Sequence, residues 1–145
     1  MADVIIEVER LGGISIAAHI DREKTGFETY EGYPNWKKDI LCCSGLYGLE
    51  FDDATHLAWY SSDDDATTQG AERKKLLNSR SKLSSIEARF RLAAIQNSDA
   101  HTLPDLRTYH TDRLLTRYKM NELTFEGFRT ALVDPEARVR AIATI

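Results

Sequence analysis

The sequence predicts an α/β protein built on a parallel sheet with covering helices, and three observations carry that prediction. Short, largely apolar runs at Ile14–Ala18, Leu46–Phe51 and Arg91–Gln96 have the composition of strands buried on both faces. Helical periodicity fills much of the chain before and between them. Polar residues able to do chemistry follow the strand runs, and parallel α/β folds place their sites at the C-terminal ends of strands.

The elements follow in order. In Asp3–Leu11 the residues Val4, Ile5, Val8 and Leu11 share one helical face, and Gly12-Gly13 supplies the stop. The first strand, Ile14–Ala18, delivers His19 at its end. Pro34 opens a helix that runs through Leu41, because a missing N–H costs nothing in a first turn. Leu46–Phe51 is the second strand, and it too runs into acidic residues, Asp52 and Asp53. A short helix over 54–60 and a more polar one over 71–78 fill the middle. The polar stretch from Ser61 to Gly70 lacks apolar periodicity and reads as a mobile loop. The third strand opens into Asn97-Ser98-Asp99-Ala100-His101, and Leu114–Met120 reads as a fourth strand of the same sheet. Thr124 then caps a helix over 125–132, and a last helical turn or two begins at Asp134-Pro135-Glu136.

The chain of 145 residues, 42% hydrophobic and 29% charged, suits one compact domain and is too short for two. A net charge of -4 argues against attachment to nucleic acid or anionic lipid through bulk charge. That charge is uneven: residues 1–70 hold 5 basic and 14 acidic side chains, whereas 71–102 hold 7 and 3. The basic run Arg73-Lys74-Lys75 with Arg80 and Lys82 reads as a solvated helix face, with phosphate contact as the alternative. No stretch reaches the roughly 18 apolar residues of a membrane span, and the acidic start MADVIIEVERL is unlike a signal peptide. The expectation is a soluble, cytoplasmic protein. Adjacent Cys42 and Cys43 do not pair with each other, so no disulfide framework is expected, and both read as packing residues.

His19 after one strand and Asp99-Ala100-His101 after another could point into one cleft, and imidazole and carboxylate are ligands for Zn, Mn or Fe. The metal candidates are therefore His19, Asp99 and His101, with a hydrogen-bonded loop as the plain alternative. The catalytic candidates are Glu50 and Arg22. Glu50 could support a metal ligand or act as general acid or base, or simply stand near carboxylates that cap the next helix. Arg22 has a fork suited to phosphate or carboxylate, or is a surface arginine in a loop. His56 and His110 read as structural or exposed. Gly12-Gly13 precedes a strand rather than a helix, so nucleotide binding by a Walker or dinucleotide loop is not expected.

The order of these motifs resembles a known family. Gly12-Gly13-Ile14-Ser15-Ile16-Ala17-Ala18-His19, then Tyr47-Gly48-Leu49-Glu50-Phe51, then Asn97-Ser98-Asp99-Ala100-His101 resembles the second half of a PHP domain, the polymerase and histidinol phosphatase superfamily. The tail through Tyr118-Lys119-Met120, Thr124-Phe125-Glu126-Gly127-Phe128 and Asp134-Pro135-Glu136-Ala137-Arg138-Val139 is similar to the PHP-type domain at the start of large AAA-like ATPases. The resemblance implies a distorted seven-stranded β/α barrel that holds two or three divalent metal ions and hydrolyses phosphate esters. It implies that His19, Asp99 and His101 are ligands; from its position three residues past His19, Arg22 would then hold the substrate phosphate. The family's opening strand with His-x-His has no counterpart here, which leaves about three of up to nine ligands.

Two functions follow as expectations. One is a metal-dependent phosphoesterase, or the C-terminal portion of one, acting on a phosphorylated small molecule or a nucleic-acid end. The other is a non-catalytic interaction or assembly module with a vestigial metal site. Half a barrel leaves sheet edges open, so an expressed fragment, a truncated gene product or a half-domain that forms a homo-oligomer through such an edge would each fit.

Overall fold

A computed structural model describes residues 1–29, 35–86, 89–108 and 115–142. Three parallel strands, β1 (Ser15–Ala17), β2 (Leu46–Glu50) and β3 (Ala93–Ile95), form one sheet in the order β1-β2-β3. Helix α1 (Ala2–Arg10) leads into β1, α2 (Trp36–Leu41) lies between β1 and β2, and a 3-10 turn (Ala54–His56) and α3 (Thr68–Ser81) lie between β2 and β3. After β3 come α4 (Leu103–Thr108), β4 (Leu115–Tyr118), α5 (Phe125–Val133), α6 (Pro135–Arg138) and β5 (Val139–Ile142). The α/β class and the parallel sheet are as expected.

A bulge in β2 sorts its side chains between two cores. Ser15 pairs with Leu46 but Ile16 pairs with Gly48, so Tyr47 is an extra residue in the ladder. Leu46 and Leu49 consequently share one core, although strict alternation would put them on opposite faces. That core also takes Ile5, Ile40, Leu41, Phe27, Phe51 and Tyr60. Tyr47 joins the second core with Ala93, Ile95, Leu132 and Val139, against which Phe128 and Tyr118 pack. Every residue of β2 is buried, which is why its sequence is nearly continuous in apolar or small side chains. Gly48 is required by close approach: a Cβ there would lie 3.0 Å from Ile95 Cδ1 and 3.1 Å from the Ala93 carbonyl oxygen.

Several expectations are corrected. The fourth strand does not extend the parallel sheet. It pairs antiparallel with β5, Tyr118 opposite Val139 and Leu115 opposite Ile142, while Leu114 lies outside the described residues. The chain end is not helical throughout, because α6 stops at Arg138 and β5 follows. The helix expected over 54–60 is one 3-10 turn, capped by Asp53, whose side chain accepts from Thr55 N–H at 2.8 Å. Helix α3 begins at Thr68, inside the stretch expected to be loop, with Thr67 accepting from Gly70 N–H at 3.1 Å.

The basic run is a solvated face only in part: Lys75 and Lys82 are exposed, but its arginines are not. Arg73 and Arg80 are both buried. Arg73 donates to both oxygens of buried Asp64, at 2.9 and 2.8 Å, and lies over the Trp59 ring at 4.2 Å. The edges are less open than half a barrel implies. On the β3 side β5 packs against the strand, and just past it the Thr116 hydroxyl of β4 accepts from Gln96 N–H at 2.9 Å and donates to the Gln96 carbonyl at 2.8 Å. Among the described residues the parallel sheet has three strands, and no helix is long and apolar enough to cross a membrane. Cys43 is buried and Cys42 half-buried, as packing residues should be, and burial pushes both thiols up.

Candidate metal centre

The C-terminal ends of all three parallel strands converge on one polar cluster. His19 follows β1, Glu50 ends β2 with Asp52 just beyond, and Asp99 follows β3. Backbone bonds past the strand ends fix their relation: Ile20 N–H donates to the Glu50 carbonyl at 3.0 Å, and Phe51 N–H to the Ile95 carbonyl at 2.9 Å. His19 and Asp99 both adopt left-handed backbone, with φ of 46° and 50°. That conformation costs an L residue on the order of 1–3 kcal/mol, and such costs concentrate at functional sites.

His19 bridges two carboxylates. Its Nε2 lies 3.3 Å from Asp99 Oδ1, and its Nδ1 lies 3.3 Å from Glu50 Oε2. Nδ1 is buried and makes no hydrogen bond of acceptable geometry. Glu50 is otherwise held by Asn97, whose side-chain amide donates to Oε1 at 3.2 Å. His19, Asp52 and Asp99 each offer a ligand atom, and the three atoms lie within 4.8 Å of one another. Two ligands that share a tetrahedral cation at about 2.0–2.1 Å sit roughly 3.3 Å apart. The 3.3 Å between His19 Nε2 and Asp99 Oδ1 matches that spacing, and it is equally the distance of a direct histidine–carboxylate contact. One imidazole and two carboxylates is a donor set for Zn, Mn or Fe, and the residues fit such an ion.

Arg22 is part of this cluster rather than a surface arginine in a loop. Its Nε donates to Asp52 Oδ2 at 2.7 Å, and its Nη2 donates to Asp52 Oδ1 at 3.1 Å and Asp99 Oδ2 at 2.6 Å. Hydrogen bonding to the Arg22 guanidinium holds the Asp99 carboxyl below the usual carboxylate range, helped by the charges of His19, Arg22 and His101. The same bonds, with Asp52 first, push the guanidinium up.

Asp21 ties the two loops together from below. Its side chain is 1% exposed and accepts from the Asp52 N–H at 2.7 Å, the Asp53 N–H at 2.9 Å and His56 Nδ1 at 2.8 Å. Gln96 adds a clamp from β3, its amide donating to the Asp52 carbonyl at 2.8 Å. His56 also stacks on Trp59, with centroids 3.7 Å apart, which agrees with the structural role read from the sequence. His110 lies outside the described residues.

Of the residues singled out in the sequence, His19, Asp99, Glu50 and Arg22 come together. His101 stands at the rim: its Nε2 lies 3.5 Å from Asp99 Oδ1, but its side chain is 81% exposed and it is not one of the three converging donors. Sequence reasoning missed Asp52 as a candidate donor and Asp21 as its support. The available signal was position, Asp52 just past the second strand and Asp21 two residues past His19. A cavity of about 670 Å³ lies elsewhere, between Leu57, Leu77, Phe90, Leu92, Val139 and Ala141, and none of the cluster residues lines it. No family model matches the chain, and no curated protein or solved structure is significantly similar to it.

Proposed function

We propose that this chain carries the cation site of a metal-dependent phosphoesterase, or the C-terminal portion of one, acting on a phosphorylated small molecule or a nucleic-acid end. The observation that carries the reading is the convergence of His19, Asp52 and Asp99 past three adjacent parallel strands, with the donor spacing described above. His19, Asp52 and Asp99 would hold the ion, and a divalent cation there would supply Lewis acidity and a water of lowered pKa. Glu50 Oε2 lies 3.3 Å from His19 Nδ1, and a hydrogen bond formed there would orient the imidazole ring and leave Nε2 for the ion. A PHP-like barrel, completed by residues beyond those that form the three-stranded sheet, remains part of this proposal, as does a cytoplasmic setting.

The test is hydrolysis of bis-p-nitrophenyl phosphate by the metal-free chain supplemented with Mn2+, Zn2+ or Fe2+. Metal-dependent turnover that falls at least about 100-fold in Asp99→Asn supports the reading, by the usual cost of losing a catalytic group. Turnover that ignores both metal and Asp99 overturns it.

One observation favours the second reading, a non-catalytic assembly module. Arg22 already pairs with Asp52 and Asp99, so these two carboxylates have a counter-charge without a metal. On that reading the β1 edge of the sheet, which pairs only with β2 among the described residues, would join a second copy of the chain. A stable dimer without metal affinity would favour it.

A further inference from the structure

We propose that Arg22 is a built-in counter-cation, which occupies the carboxylates of the cation site while it is empty and is displaced by the metal, so that its fork becomes free for the phosphate of a substrate. The inference rests on the metal reading above and extends it to how the site is kept and switched.

The geometry sets up a competition. Asp52 and Asp99 are two of the three converging donors, and Arg22 holds three of their four oxygens, Oδ1 and Oδ2 of Asp52 and Oδ2 of Asp99. Only Asp99 Oδ1 is left to His19, at 3.3 Å, and to His101, at 3.5 Å. Two carboxylates held this close, with Glu50 on the other side of the imidazole, repel one another unless a cation sits among them. The Arg22 guanidinium is placed to be that cation. A divalent ion brings twice the charge to the same oxygens, and it repels a guanidinium left beside it. Oxygens that bind the ion can no longer accept from Arg22 with the same strength.

Displacement has somewhere to lead. The Arg22 side chain is 36% exposed, so the guanidinium can swing toward solvent without crossing the core. Its backbone is held independently, since Arg22 N–H donates to the His19 carbonyl at 3.1 Å and its own carbonyl accepts from Gly26 N–H at 2.7 Å. A fork fixed at its base and released at its tip, next to a divalent cation, suits a phosphate group that bridges the two.

The experiment is a calorimetric titration of Zn2+ into wild type and Arg22→Gln, with Arg22→Lys as a charge-retaining control, together with the Arg22 Nε–H resonance of the wild type followed through the same titration. Arg22→Gln is expected to bind Zn2+ about tenfold more tightly, which corresponds to about 1.4 kcal/mol, with Arg22→Lys between the two. The wild-type Arg22 Nε–H, protected by Asp52 in the free protein, is expected to lose its protection from exchange as the site fills. Equal or weaker Zn2+ binding by Arg22→Gln, or an Nε–H that stays protected in the loaded wild type, overturns the displacement and leaves the metal reading standing. Failure of wild type and both variants to bind Zn2+ overturns the metal reading and this inference with it.

Discussion

Arg80 is 1% exposed, and its guanidinium donates to five carbonyls, those of Leu41, Cys43, Leu46, Arg89 and Phe90. Burial away from water pulls its pKa down to about 10. The side chain thus bonds carbonyls at the end of α2, the start of β2 and the turn before β3, of which the Cys43 carbonyl also accepts from Leu46 N–H at 3.3 Å. Arg80→Met removes an expensive buried charge but takes this donor away from those carbonyls, and the second effect wins: urea denaturation should show a loss of about 3 kcal/mol. Tyr60 gives a prediction in pH. Burial, then the charge of Glu28, whose Oε2 accepts from its hydroxyl at 2.6 Å, pushes the phenol up from its ordinary value near 10. The folded state therefore keeps a proton that the unfolded state gives up, and this contribution is complete below about pH 10 and lost as pH rises beyond it. Wild type should lose stability relative to Tyr60→Phe between pH 9 and about pH 11 in urea titrations, so the gap between them changes in the phenylalanine's favour.

At the level of elements, local signals were legible and pairings were not. Helix α5 was marked by Thr124 followed by Phe125 and Phe128, and Thr124 Oγ1 does accept from Gly127 N–H at 3.0 Å. Thr124→Ala should cost about 1 kcal/mol, measured by thermal or urea unfolding. Helix α1, α2 and the three parallel strands were likewise visible in periodicity and apolar runs. Strand β5 was not, because Asp134-Pro135-Glu136 is a genuine helix start and the strand that follows exists through its partner β4, a non-local pairing. Arg73 and Arg80 were misjudged for the same reason: in sequence they are part of a charged run, and only the fold brings Asp64 to one and a ring of carbonyls to the other. The site shows the same division. His19, Glu50 and Asp99 were readable as strand-end residues, whereas the choice of Asp52 over His101 as the third donor depends on how the loops after β1 and β2 are tied by Asp21.

For the molecule as a whole, the sheet, the Asp21 clamp and the Arg22 bridge join three segments distant in sequence at one point, so occupation of that point should stabilise the entire fold. With Zn2+ at about 100 times its Kd, linkage predicts a gain of about 2.7 kcal/mol, visible as a higher Tm. A metal-independent Tm would mean that the cluster is an ion-pair network and nothing more. The decisive measurement is elemental analysis of wild type, Asp52→Ala and His101→Ala after equilibration with Zn2+ and dialysis against metal-free buffer. Near-stoichiometric zinc in wild type and His101→Ala, with little left in Asp52→Ala, is the result expected of a centre built from His19, Asp52 and Asp99. Zinc that survives in Asp52→Ala, or is absent from all three proteins, would contradict it.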